Sequence, residues 1–349
     1  FSLDRNLQTR HLNRELIERT DLIVIDEVSM VDAKVLETVD SILCDYWRQK
    51  TGYDLSPIFG GKKLLMVGDF HQLAPVRSEH GEKFLFQSKI WAKLKPRTLE
   101  VSSSIRHASD PDFMDILNFA RQGFIEQRHL ALLIRRVSRL ASLDDIILCF
   151  TNQRADYHNK RVIQEVAGDD IIVIPSVPNR FTGAEHLHSN QTSENLQIFV
   201  GAKIIFTKNR SPDYFNGSIG LIKQIHFDYS LSFCSSFKSA VKSILVEVNG
   251  KDVLVGRENI FTRGDSNNSF WQFPFQLGYA MTIHKSQGQT FDRVYIDFVG
   301  APISGNHGQL YVALSRVRAL SGLSLSRQVF PRDLKCEFGH GRETLRAFA

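Results

Sequence analysis

Apolar residues recur along this chain in two rhythms. Residues 22–25 read Leu-Ile-Val-Ile, an unbroken run that suits a strand covered on both faces, as in a parallel α/β sheet. It stops at two adjacent carboxylates, Asp26 and Glu27, and Val35, Leu36, Val39, Ile42, Leu43 and Tyr46 then recur at helical spacing. Residues 62–67 read as another covered strand and end in Gly68-Asp69-Phe70-His71-Gln72-Leu73, a second polar cluster at a strand end. A second unit begins near residue 99, with Phe113, Ile116, Leu117 and Ala120 on one helix face. Residues 146–150 form a further strand, followed by the capping pair Thr151-Asn152 and a helix carrying Ala155, Val162, Ile163 and Val166. With Lys203–Phe206 and Val294–Asp297 as strands, residues 100–210 and 274–330 jointly predict a second α/β sheet.

Between these segments the texture changes. Asn216-Gly217 leads into the run 220–225, and Asn249-Gly250 lies between two β-branched runs, the strongest short hairpin signal. They predict a small β-barrel-like insertion over 211–270, with serine-rich 230–243 as its exposed loop. Residues 273–281 read as an apolar, helix-like stretch leading into Thr282-Ile283-His284-Lys285-Ser286-Gln287-Gly288-Gln289-Thr290. Residues 308–319 read as a helix with Leu310, Ala313, Leu314 and Val317 on its core stripe and Arg316 and Arg318 off it.

Composition narrows the picture modestly. A chain of 349 residues with 42% hydrophobic content has room for two or three domains. The net charge of +5 is compatible with a polyanionic partner but contains no basic block that would specify one. No apolar stretch reaches spanning length and no signal-peptide pattern opens the chain, so a soluble protein is expected, in a cytoplasm, nucleus or organelle. Cys44, Cys149, Cys234 and Cys336 are far apart and lack CxxC pairing, which fits buried thiols in a reducing compartment and predicts no zinc site.

The polar clusters carry the chemistry. Ligands bind outside the carboxyl ends of parallel strands, so Asp26 and Glu27 fit a Mg²⁺-holding acid and a water-activating acid; acids favouring a helix N-terminus fit equally well. Residues 282–290 offer imidazole, ammonium, hydroxyl and amide groups suited to phosphate oxygens, or a polar helix end capped near Gly288. An arginine held on a rigid helix, such as Arg316, can stabilise phosphoryl-transfer charge or stay solvated. A nucleotide site also needs a GxxxxGK[ST] phosphate loop, which occurs nowhere here; Gly60-Gly61-Lys62 reads as a turn. The chain opens on Phe1 and enters quickly into what reads as a domain interior, so an upstream segment is expected.

With these segments in order, the chain resembles the Pif1/RecD-like branch of superfamily-one DNA helicases. DEVSM resembles their motif II, GDFHQLAPV motif III, TIHKSQGQT motif V and YVALSR motif VI, with SSIRH, DFMDILNFARQG, FTNQRADYHN, GAKIIFTKN and NGSIG similar between them. The resemblance implies tandem RecA-like P-loop NTPase domains, the first truncated at 1–98, the second formed by 99–210 and 271–349, with the insertion as an accessory barrel. It implies ATP and Mg²⁺ as cofactors and single-stranded and forked DNA as partners. Asp26 would coordinate the metal, Glu27 activate water and Gln72 sense the γ-phosphate. Arg106 and Arg316 would reach the triphosphate from the second domain. Gly288 and Gln289 would couple nucleotide to DNA, and His284, Lys285 and Ser286 would approach the strand backbone. Translocation would run five-prime to three-prime. The chain departs from the family at Ser104-Ile105-Arg106-His107, where an Asn-Phe-Arg-Gln type of sequence is common, and at Ala74, where proline is usual. Two other readings stay open: a non-catalytic nucleic-acid-binding remnant that lost its phosphate loop, and a subunit of a RecD-type recombination complex.

Overall fold

The computed structural model describes residues 14–75, 84–101, 107, 109–168, 170–178, 195–228, 241–262 and 265–337. Arg106, most of the serine-rich loop and Cys234 lie outside them. In chain order the elements are α1 (Arg14–Arg19), β1 (Leu22–Ile25), α2 (Ala33–Thr51), β2 (Lys63–Met66), α3 (Lys89–Leu94), α4 (Pro111–Arg121), α5 (Gln127–Ile134), β3 (Ile146–Cys149), α6 (Asn152–Val162), β4 (Ile172–Pro175), β5 (Val177–Pro178), β6 (Asn195–Ile198), β7 (Lys203–Phe206), β8 (Ile219–Phe227), β9 (Val241–Val248), β10 (Lys251–Val255), β11 (Glu258–Thr262), β12 (Asp265–Gln272), β13 (Phe275–Leu277), β14 (Ala280–Thr282), β15 (Val294–Asp297), α7 (Gln309–Leu314) and β16 (Leu323–Leu325). The fold is α/β with parallel and antiparallel sheets. Packing divides the chain into one unit of residues 1–137, 302–323 and 328–349 and another of 138–301 and 324–327. These breaks differ from the sequence boundary at 98/99, because α4 and α7 pack on one another inside the first unit.

In the first unit β1 and β2 pair in parallel, from Leu22 opposite Lys63 to Ile25 opposite Met66. Ile23, Ile25, Leu64 and Met66 pack on a core built from Leu36 and Leu43 of α2 with Phe59 and Leu85. The helix is defined at both ends: Asp32 accepts from the Val35 amide at 2.7 Å, and Gly52 turns left-handed at φ 74° and donates to Arg48 O. Gly60 serves this packing, since a Cβ there would lie 2.6 Å from Leu43 O. The expectation of strands covered on both faces needs correction. Leu22, Val24, Leu65 and Val67 are 48%, 56%, 47% and 48% exposed, so α2 covers one face and the described residues leave the other open.

The second unit holds a four-stranded sheet in the order β14-β3-β15-β16, with β14 and β15 parallel to the central, fully buried β3. A five-stranded antiparallel sheet, β10-β9-β8-β7-β13, lies in the same unit. Asn249 and Gly250, at φ 51° and 75°, close the β9–β10 hairpin where Val248 faces Lys251. Two sequence readings change here. Lys203–Phe206 joins the antiparallel sheet rather than the parallel one, paired with β8 and β13. The helix-like stretch 273–281 forms β13 and β14, because Gly278 lets its backbone approach Ile204, whose carbonyl carbon would lie 2.8 Å from a Cβ.

The open face makes a stability prediction. Leu36→Ala should cost about 2–5 kcal/mol by urea denaturation, whereas Leu65→Ala should fall within about 0.5 kcal/mol of wild type. Equal losses would mean that the β1–β2 face is covered after all.

Candidate functional site

Both polar clusters leave adjacent strand ends. Val67 donates to Ile25 O at 2.8 Å and Val28 to Val67 O at 3.1 Å, so the chain segments beyond β1 and β2 run side by side. The approach is tight enough to demand glycine: Gly68 has φ 151°, and a Cβ would lie 2.8 Å from Val28 N. Asp26 is exposed, its Oδ1 accepting from the Glu27 amide at 2.8 Å. Glu27 adopts the left-handed conformation (φ 50°, ψ 49°), a costly choice for a non-glycine residue that often marks functional turns.

Asp69 organises the neighbouring loop. Its carboxylate takes Arg121 Nε at 3.2 and 3.3 Å and Nη2 at 3.1 Å, the His71 amide at 3.1 Å, His71 Nδ1 at 3.2 Å and the Tyr311 hydroxyl at 3.2 Å. Burial alone would raise its pKa, but the His71 hydrogen bond and the Arg121 charge outweigh that and hold it well below the usual carboxylate range. Burial, with Asp69 adding to it, pushes the Tyr311 phenol far up, so it stays a donor. The Gln72 amide donates to Asp69 O at 2.9 Å, and its side-chain Oε1 is buried with no hydrogen-bond partner among the described residues.

The same loop is seated on the start of α7. His307 Nε2 donates to Phe70 O at 2.8 Å while its Nδ1 accepts from the Glu337 amide at 2.9 Å, an arrangement that fixes one neutral tautomer. Burial lowers the His307 pKa, in keeping with that state. Gly308 caps α7 at φ 65°, and a Cβ there would lie 2.4 Å from both His71 O and Gln72 O. The helix ends at Leu314, leaving Arg316 in the following turn, 2% exposed, with Nε donating to Val312 O at 2.9 Å and Nη2 to Ser315 Oγ at 2.8 Å.

In the second unit β14 runs into a 3₁₀ turn, His284–Ser286. The Ile283 amide donates to Cys149 O at 3.0 Å, Ser286 is buried with its hydroxyl on Ile283 O, and Lys285 is exposed. Burial lowers the His284 pKa. Gln289 Nε2 donates to Lys285 O at 2.9 Å, and its side chain lies against Gly217, where a Cβ would meet it at 2.4 Å.

The model of the PIF1-like helicase family matches residues 3–129, and that of the UvrD-like helicase C-terminal domain matches residues 277–324. The ATP-dependent DNA helicase Pif1 of Campylobacter jejuni is 31% identical over 345 residues, covering 90% of this chain and 72% of the relative. The chain belongs to the Pif1 helicase family. It spans about half of the human ATP-dependent DNA helicase PIF1, which is 31% identical over 332 residues, 90% of this chain and 47% of that protein. The crystal structure of Pif1 helicase from Candida albicans superposes with a TM-score of 0.75 at 26% identity, over 95% of this chain and 77% of that one. Bacteroides Pif1 bound to single-stranded DNA gives 0.72 at 25% identity, over 100% of this chain and 79% of that one.

In this Pif1-family chain Asp26, Glu27, Gln72 and Arg316 fall in the first unit, and His284, Lys285, Ser286, Gly288 and Gln289 in the second. The sequence placed Asp69 only within a polar cluster at a strand end and gave no role to Arg121, His307, Gly308 or Tyr311. A helix-terminal arginine gives no sign of a partner 52 residues away. Phe70, Phe84, Phe86 and Trp91 form an aromatic cluster: Phe70 meets Phe86 edge-on at 5.1 Å, and Phe84 stacks on Phe86 at 5.1 Å.

Two outcomes follow. Asp69→Asn should destabilise the first unit by about 2 kcal/mol, the scale of hydrogen bonds to a charged group. Because the folded pKa is depressed, this stabilisation is complete above the unfolded carboxylate value of about 4 and is lost as pH falls through the folded value, so the variant's melting temperature should be less acid-sensitive below about pH 4 than wild type's. Gly308→Ala should lower the melting temperature too, since the added methyl meets backbone; an unchanged value would break the proposed seating of the loop on α7.

Proposed function

We propose that this chain is the part of an ATP-dependent DNA helicase that follows the phosphate loop, with two RecA-like domains, the first lacking its front, and an accessory β-barrel-like insertion in the second. The observation that carries the reading is the pair of adjacent strand ends presenting Asp26-Glu27 beside the Gly68–Gln72 loop, with that loop seated on the segment that leads to Arg316. The named activity of the Campylobacter and human relatives supports it, as do Bacteroides Pif1 structures with ADP-AlF3 and single-stranded DNA. The open apolar face of β1 and β2 supports a missing layer of the first domain.

In this reading Asp26 holds the nucleotide's magnesium through water; its exposed carboxylate, engaged on Oδ1 by a backbone amide, suits that role. Magnesium bound with ATP would neutralise negative charge on the triphosphate. Glu27 orients and deprotonates the attacking water. Gln72 turns its buried Oε1 and amide toward the γ-phosphate region, and Arg316, together with Arg106, answers the charge that develops there. His284, Lys285 and Ser286 meet the backbone of single-stranded DNA, and Gly288 and Gln289 relay the nucleotide state to them. Contacts to phosphates make binding salt-dependent and tolerant of sequence. Forked DNA as substrate follows the description of two coordinating Pif1 helicases at forked duplex DNA, a structure with a TM-score of 0.72 at 26% identity. Five-prime to three-prime movement completes the proposal.

The absence of GxxxxGK[ST] from these residues favours one competitor, a non-catalytic remnant that binds nucleic acid. Recovery of the coding sequence upstream of Phe1 separates the two. An in-frame phosphate loop after a strand supports the motor; a stop codon or unrelated sequence supports the remnant. In the extended protein Glu27→Gln should retain ATP binding and lose DNA-stimulated phosphate release by at least about 100-fold, the scale of general-base catalysis. Undiminished hydrolysis would remove Glu27 from its role, and the present chain alone should release no phosphate above background.

A further inference from the structure

In the second unit, three side chains that the proposed motor does not use converge at the carboxyl ends of β3 and β15. Cys149 ends β3 and Asp297 ends β15, and the two face each other in the parallel register. His158 lies on α6, which starts from the Thr151 cap, whose Oγ1 accepts from the Arg154 amide at 3.2 Å. The ligating atoms of Cys149, His158 and Asp297 lie within 4.8 Å of one another, and all three residues are buried, at 0%, 6% and 1% exposure. Asp297 Oδ1 accepts from the Val299 amide at 3.0 Å, which directs Oδ2 at His158 Nε2 (2.6 Å) and Arg154 Nε (2.5 Å).

We propose that Cys149, His158 and Asp297 form a site for a zinc-class divalent cation that ties α6 to the ends of β3 and β15. A sulfur, a nitrogen and an oxygen donor from three elements match the borderline-soft ligand set of zinc, with a fourth position left for a non-protein ligand. Calcium and magnesium, which take several oxygen ligands, do not suit it. Tetrahedral bonds of about 2.0–2.3 Å separate neighbouring donors by about 3.3–3.7 Å. Binding therefore draws the thiol inward and opens the 2.6 Å His158–Asp297 contact. Arg154 remains on the carboxylate as the outer partner that orients it.

The charge count sets the fourth ligand. Without an ion the buried thiol is protonated, pushed up to about 12 by burial and by the Asp297 charge. Bound to a divalent cation it becomes a thiolate and its proton passes to solvent; thiolate plus carboxylate then offset the ion's two charges, and Arg154, paired with Asp297 in the empty site, is left as one positive charge for an anionic fourth ligand to answer. The Cys149 carbonyl also receives the Ile283 amide, so the site is one hydrogen bond from the His284–Ser286 turn. Wide sequence spacing hid it: 139 residues separate His158 from Asp297.

Cobalt, a spectroscopic stand-in for zinc, tests the proposal on the chain as it exists. The purified protein, stripped with chelator, should bind one Co²⁺ per chain, developing a sulfur-to-cobalt absorption band in the near ultraviolet that Zn²⁺ abolishes and millimolar Mg²⁺ does not. Cys149→Ser should lose the band, and Cys44→Ser, a change at another buried thiol, should keep it. His158→Gln should keep sulfur absorption but weaken cobalt affinity at least tenfold; this variant decides the matter if Cys149→Ser fails to fold. Absence of a sulfur band in the wild-type protein, a band that survives Cys149→Ser, or unchanged affinity in His158→Gln overturns the site.

Discussion

The Asp69 carboxylate is the constraint on which the first unit's site depends. Arg121 at the end of α4, His71 in the loop itself and Tyr311 on α7 all meet it, so one charge fixes three segments distant in sequence. Burial of a carboxylate is unfavourable without such partners, and with them the group stays ionised. The loop that carries Gln72 is thereby seated on the helix that leads to Arg316, reinforced by His307 on Phe70 O and by the glycine at 308 that lets backbone meet backbone.

Local pattern made part of this legible. The acid pair after Leu-Ile-Val-Ile, the helical stripe of α2 and the Asn249-Gly250 hairpin all follow from near-neighbour physics, and each forms where its pattern lies. The partners of Asp69 were hidden because they are tertiary: nothing about an arginine at a helix end or a tyrosine within an apolar helix names a carboxylate far off in the chain. The family resemblance reached the motifs but not the contacts that hold them.

Two errors have physical causes of their own. Residues 273–281 are apolar apart from Gln276, so their periodicity does not separate strand from helix, and it is the backbone approach at Gly278 that makes them strands. The strands of the first unit were expected to be covered on both faces because their apolar runs are continuous, yet Leu22, Val24, Leu65 and Val67 stand exposed. Continuous apolar sequence records the environment for which a strand is suited, and here the described residues supply half of it.

The account's central claim is that Asp69 and Tyr311 act as one connection between the Gln72 loop and α7. A double-mutant cycle with Asp69→Asn and Tyr311→Phe, read by urea denaturation, measures that connection directly. The account predicts an interaction energy of about 0.5–3 kcal/mol, with Tyr311→Phe costing far less once Asp69 is gone. Losses that add to within about 0.3 kcal/mol would mean that the two side chains are neighbours without being coupled, contradicting it.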